Sequence, residues 1–192
     1  MNTVYQLKQM PEKFMGLQLD VVSLAEQLGD MELLDKLMQY PASNEPLSPI
    51  WKDSVTSEFQ PLSPNGTEIP DISLWDATCM VLNEKAYGAL KRYLEQEGEF
   101  LPVTANEQKM YIFNCLEFGK EDTANTVKKY VNGTDFGLEH LSFDEADAAQ
   151  RFVFKSEMKG CNTLYCTSSF KALLKEFNLE GLRFDEDLVS PF

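Results

Sequence analysis

The chain has 192 residues, 43% of them apolar, which suits one large domain that buries its own core without staples. Seventeen basic against 31 acidic residues give a net charge of -14. That charge argues against nucleic acid and anionic membrane surfaces as partners, because phosphate binding needs a basic face. A basic protein partner fits the charge, and so does solubility alone.

The N-terminal stretch MNTVYQLKQMPEKF has no apolar signal region, and no window approaches an uncharged membrane span. A cytoplasmic protein is therefore expected. Residues 3–8 read as a strand. Ser23–Gln39 reads as helical, with Leu24, Leu28, Leu34, Leu37 and Met38 available for burial and a break at Gly29-Asp30. Residues 41–72 carry Pro41, Pro46, Pro49, Pro61, Pro64 and Pro70, a stretch that a helix should not enter. It also carries Ile50, Trp51, Val55, Phe59 and Leu62, so it reads as an extended wrapping segment with one edge strand near 54–60.

A strand–helix–strand pattern then occurs twice, over Met80–Val103 and Leu164–Phe184. Aligning Asn83 with Thr167 superposes the inward residues: Ala86 on Phe170, Ala89 on Leu173, Leu90 on Leu174, Tyr93 on Phe177. Asn83 is the expected N-cap of the first helix, and Gly98 and Gly181 are the expected left-handed stops. Between the copies, Lys109–Phe118 is apolar on both alternating faces and reads as a central strand covered on both sides. Residues 120–131 have helical spacing through Ala124, Val127 and Val131. Asn132-Gly133 marks a turn, 136–143 reads as extended, Ser142 and Glu145 have capping-box spacing, and Arg151–Lys155 is a short strand. The expected fold is α+β: one mixed, mostly antiparallel sheet with packed helices and two similar strand–helix–strand units. One domain over 1–192 is expected, divided into an N-terminal strand and helix (1–40), the wrapping segment (41–72) and a main body (73–192).

Chemistry-bearing patterns are sparse. Cys79, Cys115, Cys161 and Cys166 have neither metal-ligand spacing nor a CxxC, so buried free thiols are expected, with a Cys161–Cys166 disulfide as the alternative. His140 is the only histidine, and its neighbours do not form a nucleophile–base pattern. There is no GxGxxG, Walker loop, GxSxG or HExxH, and no cofactor or metal is expected. Residues 117–147 hold eight acids and three lysines. Glu117, Glu121, Asp122, Asp144, Glu145 and Asp147 are the candidate recognition residues, a solvated face being the alternative. Trp51, Trp75 and Tyr130 are candidate interface anchors, each weighed against core packing.

The block PDISLWDATCMVLNEKAYGALKRYLEQEGEFLPV resembles the middle of the immunity-protein-eleven family of bacterial polymorphic toxin systems, formerly a domain of unknown function. Asp71, Met80-Val81-Leu82, Asn83 and Glu99–Val103 match its pattern. Tyr111–Asn114, Arg151–Lys155, Thr167–Lys175 and Gly181–Phe184 resemble its later strands and helix. The likeness covers roughly 70–184. It departs after the central strand, where the family's acidic stretch is matched only by Glu117 and Glu121-Asp122. The resemblance implies an immunity protein, not an enzyme, that neutralises a cognate toxin stoichiometrically. A basic effector domain is the toxin that would suit this acidic chain. The competing readings are a small carboxylate-dependent hydrolase and an acidic adaptor without a toxin partner.

Overall fold

The computed structural model describes residues 3–76 and 78–191. Strand β1 (Val4–Gln9) buries Tyr5, Gln6, Leu7 and Lys8. A short β2 (Met15–Leu17) leads to α1 (Val21–Leu28), which Asp20 opens by accepting from the Val22 and Ser23 amides. Gly29 ends α1, and Asp30 caps a 3-10 turn, Met31–Leu33, that feeds α2 (Leu34–Ser43). The break expected at Gly29-Asp30 is thus present. Contrary to expectation, α2 runs through Pro41. The proline stands in the last turn, where its missing N–H forfeits one bond, and the Asn44 amide closes the helix on the Tyr40 carbonyl at 3.0 Å.

The wrapping segment contributes β3 (Thr56–Ser57) and β4 (Phe59–Pro61). Then come β5 (Ile72–Trp75), β6 (Cys79–Asn83), α3 (Glu84–Leu94), β7 (Gly98–Ala105) and β8 (Gln108–Cys115). The rest of the chain forms β9 (Val127–Val131), β10 (Thr134–His140), α4 (Glu145–Ala148), β11 (Val153–Lys155), β12 (Leu164–Thr167), α5 (Ser168–Glu176) and β13 (Leu182–Asp185). Two principal sheets result, not one, ordered β3-β7-β8-β6-β5 and β11-β12-β1-β13. Among these strands every pairing is antiparallel except β3 with β7. The fold is α+β with mostly antiparallel sheets.

The two similar units match strand for strand. In the first, β6 and β7 both run antiparallel to β8, which lies between them, and β5 pairs outside β6. In the second, β12 and β13 flank β1 in the same way, and β11 pairs outside β12. The registers place Tyr5 on Tyr111, Phe184 on Phe100 and Val153 on Ile72. The second unit thus takes its middle strand from the start of the chain, although chain order alone groups that strand with the N-terminal helices.

Helices α3 and α5 share one core through Ala86, Leu90, Leu94, Phe170, Leu173 and Leu174, packed on Leu82, Phe113, Tyr5 and Cys166. The other face of the five-stranded sheet is closed by α1, α2 and the wrapping segment over Val81, Leu101, Met110 and Ile112. Strand β8 is therefore covered on both faces, as its composition requires. Asn83 caps α3 by accepting from the Ala86 amide at 2.9 Å. The glycines play a different part from the one expected, because α3 ends at Glu95 in right-handed geometry and the left-handed turn after α5 is Asn178. Gly98 is needed for close approach: a Cβ there would lie 2.2 Å from the Asn114 carbonyl oxygen. All four thiols are free and buried, which sets aside the disulfide alternative, and burial pushes Cys79 and Cys115 up to about 12.

Lys155 occupies the place that Leu74 holds in the first unit, and it is only 1% exposed. Its ammonium stands 5.7 Å from the Phe118 ring centre, and no ion pair among the described residues reaches it. Burial lowers its pKa. The unfolded chain therefore holds this proton to higher pH than the folded one, and stability should rise with pH between the lowered value and about 10.4. Lys155→Met is expected to remove that slope and to stabilise the fold by about 1–3 kcal/mol at pH 7. Urea unfolding at pH 7 and 9.5 checks this; a destabilised variant would mean that the ammonium is well partnered.

Candidate functional site

Strands β9 and β10 form a ribbon that pairs with no other strand among the described residues. Asn132-Gly133, both at positive φ, make the tight turn that joins them. This corrects the helix expected over 120–131: Val127 and Val131 fit helical spacing, but they also lie on one side of a strand. The ribbon exposes large apolar groups: Val127, Val131, Tyr130 at 59% and Phe136 at 62%. Only Leu138 turns back toward the body, onto the small core of Leu141, Phe143, Phe154 and Tyr165.

The candidate acids gather at the root of this ribbon. Residues 117–122 run beside 142–147, joined by the Asp122 amide on the Ser142 carbonyl and the Asp144 amide on the Lys120 carbonyl, both at 2.9 Å. Most of the acids already serve the fold. Glu121 accepts from Ser156 Oγ at 2.7 Å and from the Met158 amide at 3.1 Å. Asp122 takes the Asn125 side-chain amide at 2.6 Å, the main reason that its pKa is lowered. Asp144, not the expected Ser142, caps α4, accepting from the Ala146 and Asp147 amides and pairing with Lys120 at 3.1 Å.

Asp147 holds Arg151 through two bonds, at 2.8 and 2.9 Å, and this bidentate pair lowers its pKa. Glu117 takes a third Arg151 nitrogen at 3.0 Å. Glu145 lies exposed in the first turn of α4. The six candidates thus come together, but as a braced acidic root more than as a free charged face.

Beside the root, a cleft of about 490 Å³ opens between the end of α3 and the start of β11, lined by Arg92, Tyr93, Glu97, Glu117, Asp147 and Arg151. Glu97 is 7% exposed, and burial raises its pKa. Its two oxygens accept the Phe152 and Val153 amides at 2.7 and 2.9 Å. Those bonds make it a strut between the two units and leave it poorly placed to give or take a proton. His140 is exposed at the end of β10. Among the described residues no group of three His, Cys, Asp or Glu side chains could hold a metal ion, and no helix is long and apolar enough to cross a membrane.

Of the candidate anchors, Trp75 is buried, with its indole N–H on the Leu19 carbonyl at 2.9 Å. Trp51 ties the wrapping segment to β7 through the Pro102 carbonyl at 2.7 Å. Tyr130 alone is presented to solvent. Phe136 escaped the sequence reading, although Asn132-Gly133 between apolar runs is a hairpin signal that points to it. No protein-family model matches the chain, and no curated protein matches it.

Proposed function

We propose that the chain is an immunity-type protein that binds a cognate bacterial toxin and neutralises it by stoichiometric occlusion. The observation that carries the reading is the free-standing ribbon, which offers Tyr130 and Phe136 to solvent above an acidic root. Large rigid side chains on a protruding element are the usual energetic centre of a protein interface. The net charge of -14 favours capture of a basic effector domain. The same reading is what the sequence resemblance over roughly 70–184 implies.

The test is co-expression with the protein encoded beside this gene. The expected result is a 1:1 complex and restored growth of cells that the neighbour alone would kill. A neighbour that is toxic alone, is not bound and is not neutralised would overturn the pairing.

A further inference from the structure

The two edges of the ribbon differ. Strand β10 is interrupted: its register shifts on both sides of Leu138, Gly137 turns at φ 93, and Asp135 accepts the Gly137 amide at 2.8 Å. Such irregularities twist an edge away from further pairing. Strand β9 contains no glycine, proline or positive φ, and all five of its residues are exposed. The two-residue turn makes Val131 and Thr134 the hydrogen-bonded closing pair. By alternation, Lys128 and Tyr130 direct their N–H and C=O groups away from β10. They form a short, regular template for another strand.

The side chains indicate which strand fits. Lys128 is paired with Asp135 at 3.2 Å, whereas no carboxylate among the described residues forms an ion pair with Lys129. Lys129 shares its face with Val127 and Val131, by the alternation of the regular strand β9. A second copy of this chain is a poor occupant. An antiparallel β9–β9 pairing centred on Lys129 would oppose two ammonium groups and bring together two bodies that each carry -14.

We propose that the β9 edge receives an extended strand of the toxin, with a carboxylate beside Lys129 and apolar residues against Val127 and Val131. This rests on the toxin-neutralising reading. Backbone pairing would supply affinity that depends little on the partner's sequence, and the carboxylate would set the register.

The experiment titrates a catalytically inactivated product of the adjacent gene against the wild-type chain, Lys128→Ala and Lys128→Pro. A proline whose lost N–H faces outward is tolerated on an edge strand, so the ribbon should survive the change. Lys128→Ala should bind within about threefold of wild type, and Lys128→Pro at least about 30-fold more weakly. In the wild-type complex the Lys128 and Tyr130 amides should become protected from hydrogen exchange, having exchanged freely before. Equal binding by the alanine and proline variants, or unprotected amides in the complex, would overturn strand addition and leave the toxin reading standing. No binding by wild type would remove that reading itself. A free chain that dimerises through β9, and is made monomeric by Lys128→Pro, would give the edge to a second copy and overturn the proposal.

Discussion

Replacing Tyr130 and Phe136 together by alanine is expected to weaken toxin binding by about 100- to 1000-fold while leaving thermal unfolding unchanged. Both rings stand mostly in water, at 59% and 62% exposure, so truncation removes little packing from the free protein. In a complex each would fill a pocket of the partner, and a buried aromatic anchor contributes about 2 kcal/mol or more. The two rings stand on different strands of the ribbon, Tyr130 on β9 opposite Asp135 and Phe136 on β10. The single variants therefore report what each ring contributes. Calorimetric titration of the toxin against each variant decides this; wild-type affinity for the double variant would move the interface off the ribbon.

The second large effect is expected at Gly181. A Cβ there would lie 1.9 Å from the Ile72 carbonyl oxygen and 2.5 Å from Pro70 Cβ, on a backbone at φ 136 that side chains rarely adopt. The obstructing oxygen cannot easily retreat. The Asp71 and Ile72 amides donate to the Glu180 carbonyl at 3.0 and 3.2 Å, and Asp71 accepts the Glu180 amide at 3.1 Å. Lys85 adds bonds to Asp71 and to the Asn178 carbonyl. This is one of the joints at which the first unit meets the second. Gly181→Ala should therefore cost more than about 3 kcal/mol, whereas Gly133→Ala, with nothing within 4 Å, should cost only about 1–2 kcal/mol of backbone strain. Paired urea titrations would show it; equal losses would mean that the joint yields.

Local patterning carried most of the elements and little of their arrangement. The Asn83 cap, the inward residues of both helices and the two-faced β8 are short-range facts, readable from spacing. The place of β1 was not readable, because strand pairing across nearly the whole chain leaves no trace in local periodicity. At 120–131 two periods competed: Val127 and Val131 are four apart, which a helix and a strand face both allow. The tight Asn132-Gly133 turn decides for the strand once its partner is in view. The acids between 117 and 147 were legible as a cluster. Their engagement as caps and braces was not, because it depends on two segments lying side by side. Phe136 was missed for the opposite reason, since nothing local separates an exposed aromatic residue from a buried one.

The interleaved second unit has a consequence for synthesis. Strand β1 leaves the ribosome long before either of its neighbours exists, and Lys8 and Asp185, which pair across the β1–β13 seam, stand 177 positions apart. At about 5–20 residues per second, the nascent strand waits roughly 10–35 s for that pairing. The first unit, whose middle strand follows directly on β7, can close during translation. The second must wait for β12 and β13, so a growing chain passes through a half-finished stage with the apolar face of β1 uncovered. Chaperone dependence and inclusion-body formation should track that interval, and slow translation should prolong the exposure.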